Sequence, residues 1–171
     1  MRVSLTALSL AVLAGCATPD ELGPSGDAPS IPLINSAGAS TGAVQAEMRP
    51  GGTYLRIAVE GLSPGDHGLH LHAVGRCDGP DFKNAGGHWN PEGRQHGHLN
   101  PAGQHKGDLP NLTVSASGRG AINFLVSGQP LNDADGTSLV IHAQADDYRT
   151  DPSGNSGDRI ACAVLAAPVQ P

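Results

Sequence analysis

The chain has 171 residues, enough for one ordinary domain, and carries 10 Lys and Arg against 16 Asp and Glu for a formal net charge of −6. That acidity excludes an electrostatic nucleic-acid binder, which needs clustered Lys and Arg against phosphates. With 24 Gly, 14 Pro and only 3% aromatic residues, the chain is also no helical bundle, which needs long runs free of Gly and Pro.

Residues 1–15 read as an export signal: Arg2 supplies the positive end, and 3–13 form an apolar stretch too short for a stable membrane span. Leu13-Ala14-Gly15-Cys16 resembles the lipobox of bacterial lipoproteins, in which cleavage leaves the cysteine, here Cys16, as a diacylated N-terminus. An ordinary cleaved secretion signal is the alternative. The lipobox reading implies a periplasmic protein whose membrane contact is the lipid on Cys16. Residues 16–30 are rich in Pro, lack apolar periodicity and read as a flexible tether, which leaves 31–171 as the folded domain. Loss of Arg2 makes the mature charge about −7. Once Cys16 carries lipid, Cys77 and Cys162 remain. In an oxidising compartment this pair is expected to form a disulfide across 85 residue steps, worth roughly 4 kcal/mol on the chain-entropy model. Two free thiols or two metal ligands are the alternative.

Beyond the tether, strands are expected near 31–35, 43–48, 53–60, 67–73, 112–116, 119–126, 138–142 and 160–165. Within 53–60, Leu55, Ile57 and Val59 alternate with Arg56, Ala58 and Glu60, the two-residue period of a half-buried strand. About eight short strands joined by Gly/Pro turns predict an all-β antiparallel sandwich or flattened barrel. Residues 75–111 and 143–159 are too long to be turns, and loops of that length in a compact domain usually serve function.

All eight histidines lie between positions 67 and 142, seven of them between 67 and 105. His70 and His72 stand two apart on an expected strand, so both project from one face and can grip one metal ion. As a pair alone, solvated or hydrogen-bonded histidines fit equally well. His142 ends another expected strand and can add a third nitrogen. His88, His96, His105 and Asp108 follow in the Gly-rich loop, and three imidazoles with a carboxylate suit a closed tetrahedral zinc site.

His67-Gly68-Leu69-His70-Leu71-His72 with Gly75-Arg76-Cys77, Gly87-His88-Trp89-Asn90-Pro91, His96-Gly97 and His105-Lys106-Gly107-Asp108-Leu109 recur in this order, followed by Val140-Ile141-His142-Ala143 and GNSGDRIAC at 154–162. In order and spacing these segments resemble the copper/zinc superoxide dismutases of the bacterial periplasmic lipoprotein type, over about residues 31–166. That family is itself an example of the antiparallel sandwich. The resemblance implies an eight-stranded Greek-key sandwich or flattened barrel with two long functional loops. It implies dismutation of superoxide to oxygen and hydrogen peroxide, with copper and zinc as cofactors. Copper would be held by His70, His72, His88 and His142, and zinc by His88, His96, His105 and Asp108. His88 would bridge the two as an imidazolate and carry a proton in the cycle. Arg159 would stand beside the copper and contact the anion, Asp146 would link a copper histidine to a zinc histidine, and Cys77–Cys162 would be the family disulfide. A homodimer is also implied.

One segment departs from the family pattern: 146–158 holds a single cation, Arg149, against Asp146, Asp147, Asp151 and Asp158, which predicts weak steering of an anion from this loop. A non-catalytic copper/zinc-binding protein on the same fold is the competing reading. Such a protein would be expected to lack a copper histidine or the arginine, and all are present. Outside the ligand sets, His67 is expected to make structural hydrogen bonds, His98 to be solvated, and Phe82 and Trp89 to serve packing or subunit contact.

Overall fold

The computed structural model describes residues 28–128 and 130–169. The export signal at 1–15, Cys16 and most of the tether read over 16–30 lie outside the described residues. Nine strands run through the described chain: β1 (Ser30–Asn35), β2 (Ser40–Arg49), β3 (Gly52–Val59), β4 (Gly65–His67), β5 (Leu69–His72), β6 (Leu112–Val114), β7 (Gly120–Ser127), β8 (Thr137–His142) and β9 (Arg159–Ala166). Seven form one antiparallel sheet in the order β5-β8-β9-β1-β2-β3-β7, and β4 pairs with β6 beside it. Neighbours distant in sequence, β1 beside β9 and β3 beside β7, are the Greek-key crossovers. The sheet curls into a half-barrel around one apolar core.

The alternation read in 53–60 is realised in β3, where Leu55, Ile57 and Val59 are buried while Arg56 and Ala58 face solvent. They meet Leu33, Val44, Leu69, Leu71, Leu112, Leu139 and Ile141 in the core. The strand expected over 67–73 is broken in two at Gly68. There the backbone N–H donates to the Gln144 carbonyl and the carbonyl accepts from His142 N–H, both at 2.8 Å. A Cβ at Gly68 would stand 2.7 Å from Ser156 Cβ, so only glycine lets the chain pass under the 143–158 loop while it changes partner from β6 to β8.

Strands β5 and β8 are buried on both faces. One face belongs to the barrel core and the other is covered by the two long loops. Phe82 and Ala85, from the loop after β5, pack with Val140 and Cys162 against the outer side of β8 and β9. The Cys77–Cys162 disulfide, with Cα atoms 5.6 Å apart, ties the same loop to β9. Phe82, expected to serve packing or subunit contact, is fully buried within the chain, and Trp89 is buried with its indole N–H on the Asp133 carboxylate at 3.2 Å.

Candidate metal centre

Strand β5 is the edge of the sheet, and its alternation decides where the histidines point. Leu69 and Leu71 enter the core, so His70 and His72 share the opposite face, beside Val140 and Ser138 of β8. His142 ends β8 on that face. The free edge of β5 is then claimed by two pieces of the long loop. Leu71 N–H donates to Gly107 O (2.9 Å) and Leu109 N–H to Leu69 O (3.2 Å), while Trp89 N–H donates to Leu71 O (2.8 Å) and Ala73 N–H to Gly87 O (2.9 Å). Backbone pairing along an unprotected edge thus delivers His88 and Asp108 to the site. A side chain at Gly107 would collide with the Leu71 carbonyl, so this close approach needs glycine.

Each of three rings has one nitrogen occupied by an acceptor that cannot itself donate. His70 Nε2–H donates to Asp146 Oδ2 at 2.8 Å, His72 Nδ1–H to Gly86 O at 2.9 Å, and His142 Nδ1–H to Gly157 O at 3.0 Å. The proton of each neutral ring is therefore used, and the other nitrogen is a bare lone pair. His70 Nδ1, His72 Nε2, His142 Nε2 and His88 Nε2 are all buried without a hydrogen-bond partner among the described residues. One ligand atom from each of these four residues lies within 4.8 Å of the others. Buried lone pairs converging without donors suit a soft or borderline cation with nitrogen preference.

The other side of the His88 ring faces a second nest. Its Nδ1 is 2.9 Å from Asp108 Oδ1, and His96 Nδ1 and His105 Nδ1 are each 3.0 Å from the same oxygen. His105 Nδ1 is 3.3 Å from His88 Nδ1. A tetrahedral ion with ligands at about 2.0–2.1 Å has ligand–ligand edges of about 3.3 Å, so the nest has the size of a zinc coordination shell. The other carboxylate oxygen of Asp108 is held by the N–H groups of Gly97 (2.9 Å) and His105 (3.0 Å), which aims Oδ1 inward. Asp146 joins the two nests: Oδ2 takes the His70 proton, and Oδ1 accepts from His96 Nε2 at 2.9 Å. The His70, His96 and Asp146 group is thus a hydrogen-bonded link and not a third nest. Gly154 makes room for it, since a Cβ there would collide with the Asp146 carboxylate.

Burial holds the His70 pKa down to about 3 and that of His142 down to about 4, and depresses His72 and His88 as well. These rings are neutral at neutral pH. For His96 burial works in the same direction but is outweighed by hydrogen bonds to Asp108 and Asp146, which raise it to about 9. Both carboxyls are pushed well below the usual carboxylate range: burial opposes this, and the hydrogen bonds from the surrounding histidines prevail.

Arg159 lies next to the first nest, where its charge further depresses His72 and His142. Its guanidinium donates to Phe82 O (2.7 Å) and Gly86 O (2.6 Å), carbonyls of the loop that the disulfide secures. It lines a channel of about 560 Å³ together with Asp81, Lys83, Gly157 and Asp158. The acids that made the 146–158 segment an unlikely guide for an anion are mostly turned away from it. Asp146 is buried between histidines, Asp151 accepts the His96 backbone N–H (2.6 Å), and Asp147 accepts from Arg149 N–H, Thr150 and Asn155 inside its own turn. Arg149 donates to Leu99 O, away from the channel, whereas Lys83, from the other loop, lines the channel ion-paired with Asp81 at 2.8 Å. Sequence reasoning passed over Asn111 and Tyr148, because they meet across 37 residues and neither stands in a ligand-type spacing. His67 has its ring nitrogens 2.7 Å from His142 O and 2.9 Å from Ser63 O. His98 is exposed, with its ring 4.3 Å from that of Tyr148.

These shifts give the metal-free protein a two-sided pH profile. His70 and His142 keep folded values of about 3 and about 4 against an ordinary 6.5, so their contribution is complete above 6.5 and is lost as pH falls toward those values. His96, raised to about 9, contributes fully below 6.5 and loses that contribution as pH climbs through 9. Thermal unfolding of the metal-free protein is expected to show its highest Tm near pH 6.5 with declines on both sides; a Tm flat from pH 4 to 9 would contradict it.

A family model described as copper/zinc superoxide dismutase (SODC) matches residues 40–165. The chain is 41% identical over 145 residues to the superoxide dismutase-like protein YojM of Bacillus subtilis, covering 79% of this chain and 74% of that one. It is 41% identical over 138 residues to the copper/zinc superoxide dismutase of Caulobacter vibrioides, covering 75% of this chain and 79% of the relative. The crystal structure of a SOD-like protein from Bacillus subtilis superposes with a TM-score of 0.75 at 39% identity, over 80% of this chain and 97% of the other. Curled antiparallel sheet, paired histidine nests and sequence likeness agree, and the chain belongs to the copper/zinc superoxide dismutase family.

Proposed function

We propose that the chain dismutes superoxide with copper held by His70, His72, His88 and His142 and zinc held by His88, His96, His105 and Asp108, the His88 ring standing between them. The observation that carries the reading is the set of four bare, buried imidazole nitrogens, one of them on a ring whose other nitrogen faces the Asp108 nest. Two superoxide anions and two protons give one oxygen and one hydrogen peroxide. Copper, when bound, supplies the one-electron oxidation and reduction this requires, and zinc supplies charge without redox change.

The chain contributes the rest. Carbonyls and Asp146 orient the rings so that their lone pairs converge without movement. His88 is anchored through Nδ1, which leaves Nε2 as the atom that takes up a proton and yields it to the departing peroxide; the second proton comes from solvent in the channel. Arg159, held by two backbone carbonyls, presents a fixed positive charge to an anion in the channel. At ordinary salt, charges more than about 8–10 Å away are largely screened, so the chain's distant negative charges weigh little against the fixed charge of Arg159 beside the site. A carrier protein would use the same nests but has no need of Arg159 in the channel, which favours the enzyme.

The proposal includes export to the periplasm and a lipid anchor at Cys16, supported by the lipobox-like sequence and by a disulfide of the kind that persists in oxidising compartments. It extends to a pair of copies in solution, read from the resemblance alone. Arg159→Ala is expected to lower the second-order rate of superoxide decay in stopped flow by at least about tenfold with copper and zinc content unchanged; undiminished decay would refute the role given to Arg159. Cys16→Ser is expected to abolish incorporation of a labelled fatty acid and release the protein from membranes. Persistent labelling would place the lipid elsewhere.

A further inference from the structure

We propose that Tyr148 is a positioning residue for the zinc-side nest: its hydroxyl and backbone clasp the two long loops together and so set how firmly the nest retains its ion. This rests on the reading that His88, His96, His105 and Asp108 hold zinc.

Asp146 orients His70 and His96 through its two carboxylate oxygens, yet something must hold Asp146. Both of its backbone polar groups are bound by one side chain: its N–H donates to Asn111 Oδ1 at 2.8 Å, and its carbonyl accepts from Asn111 Nδ2 at 2.9 Å. The backbone N–H of Asn111 in turn donates to the Tyr148 hydroxyl at 2.7 Å. Tyr148 N–H then donates to Asp146 Oδ1 at 2.7 Å, the same oxygen that accepts from His96. Asp146, Tyr148 and Asn111 therefore form a closed ring of hydrogen bonds around the carboxylate that aims His96.

A second attachment reaches the zinc ligands from the other side. The Tyr148 carbonyl accepts from Leu99 N–H at 3.0 Å and lies against Gly97, where any Cβ would collide with it. Gly97 N–H holds Asp108 Oδ2. Tyr148 has φ 59, a left-handed conformation that non-glycine residues rarely adopt. Its N–H, carbonyl and hydroxyl are all engaged, which is what sustains that conformation. An apolar plug would fill the same space without the hydroxyl; here the hydroxyl is, among the described residues, the only link from this loop to the Asn111 backbone that the ring requires.

The test uses the copper- and zinc-loaded protein and follows zinc transfer to a colorimetric chelator. Tyr148→Phe, which removes one oxygen, is expected to release zinc about three- to tenfold faster, below the 10–100-fold typical of a direct ligand partner. With cobalt in place of zinc, its visible bands should shift as His96 reorients. Asn111→Asp, which sets an acceptor against the Asp146 carbonyl, should act in the same direction. Val44→Ala, in the barrel core, should lower Tm while leaving release and cobalt bands unmoved. Wild-type release with unshifted bands in Tyr148→Phe, or equal acceleration in Val44→Ala, would overturn the proposal. A wild-type chain that takes up no zinc would instead overturn the function proposed above, and this role with it.

Discussion

The structure turns on a matter of proton placement. His70, His72 and His142 each spend their single ring proton on a carboxylate or a backbone carbonyl, so each turns a naked lone pair inward. Together with His88 Nε2 that makes four buried nitrogens without a partner among the described residues, each costing about 1–3 kcal/mol when left unmet. A barrel core does not keep such a group of acceptors in one place unless a cation repays them. The carbonyls of Gly86 and Gly157 and the carboxylate of Asp146 are therefore as much part of the centre as the rings they orient.

The barrel supplies rigidity, and the loops supply chemistry. The core side of β5 and β8 is occupied by leucines and isoleucine, so their outward histidines are held on a surface that cannot relax. The loops cover that surface by borrowing the unpaired edge of β5, which converts an exposed strand edge into the positioning device for His88 and Asp108. The disulfide and the buried Phe82 then fix the carbonyls that carry Arg159. One loop delivers His88, His96, His105 and Asp108 and the carbonyls that hold Arg159; the other delivers Asp146 and Tyr148, which brace the first.

Much of this was legible in the sequence because it is local. The alternation of Leu55, Ile57 and Val59 gave the strand and its inward face, and the two-residue step from His70 to His72 gave a shared face. The ligand candidates were legible through their types and spacings. What escaped the sequence depends on contacts between distant segments. The break at Gly68 follows from Ser156 lying above it, the Asp146 clasp from Asn111 and Tyr148, and the withdrawal of Asp146, Asp147 and Asp151 from the channel from hydrogen bonds that occupy their carboxylates. A charge count cannot distinguish an aspartate that faces the channel from one that caps a backbone N–H.

The central claim, that one imidazole stands between two different ions, is met most directly by a crystal structure of the copper- and zinc-loaded protein with anomalous scattering recorded at both metal absorption edges. The account requires copper signal on the Nε2 side of His88 among His70, His72 and His142, and zinc signal on the Nδ1 side among His96, His105 and Asp108. A single ion, or His88 turned away from either position, would contradict it.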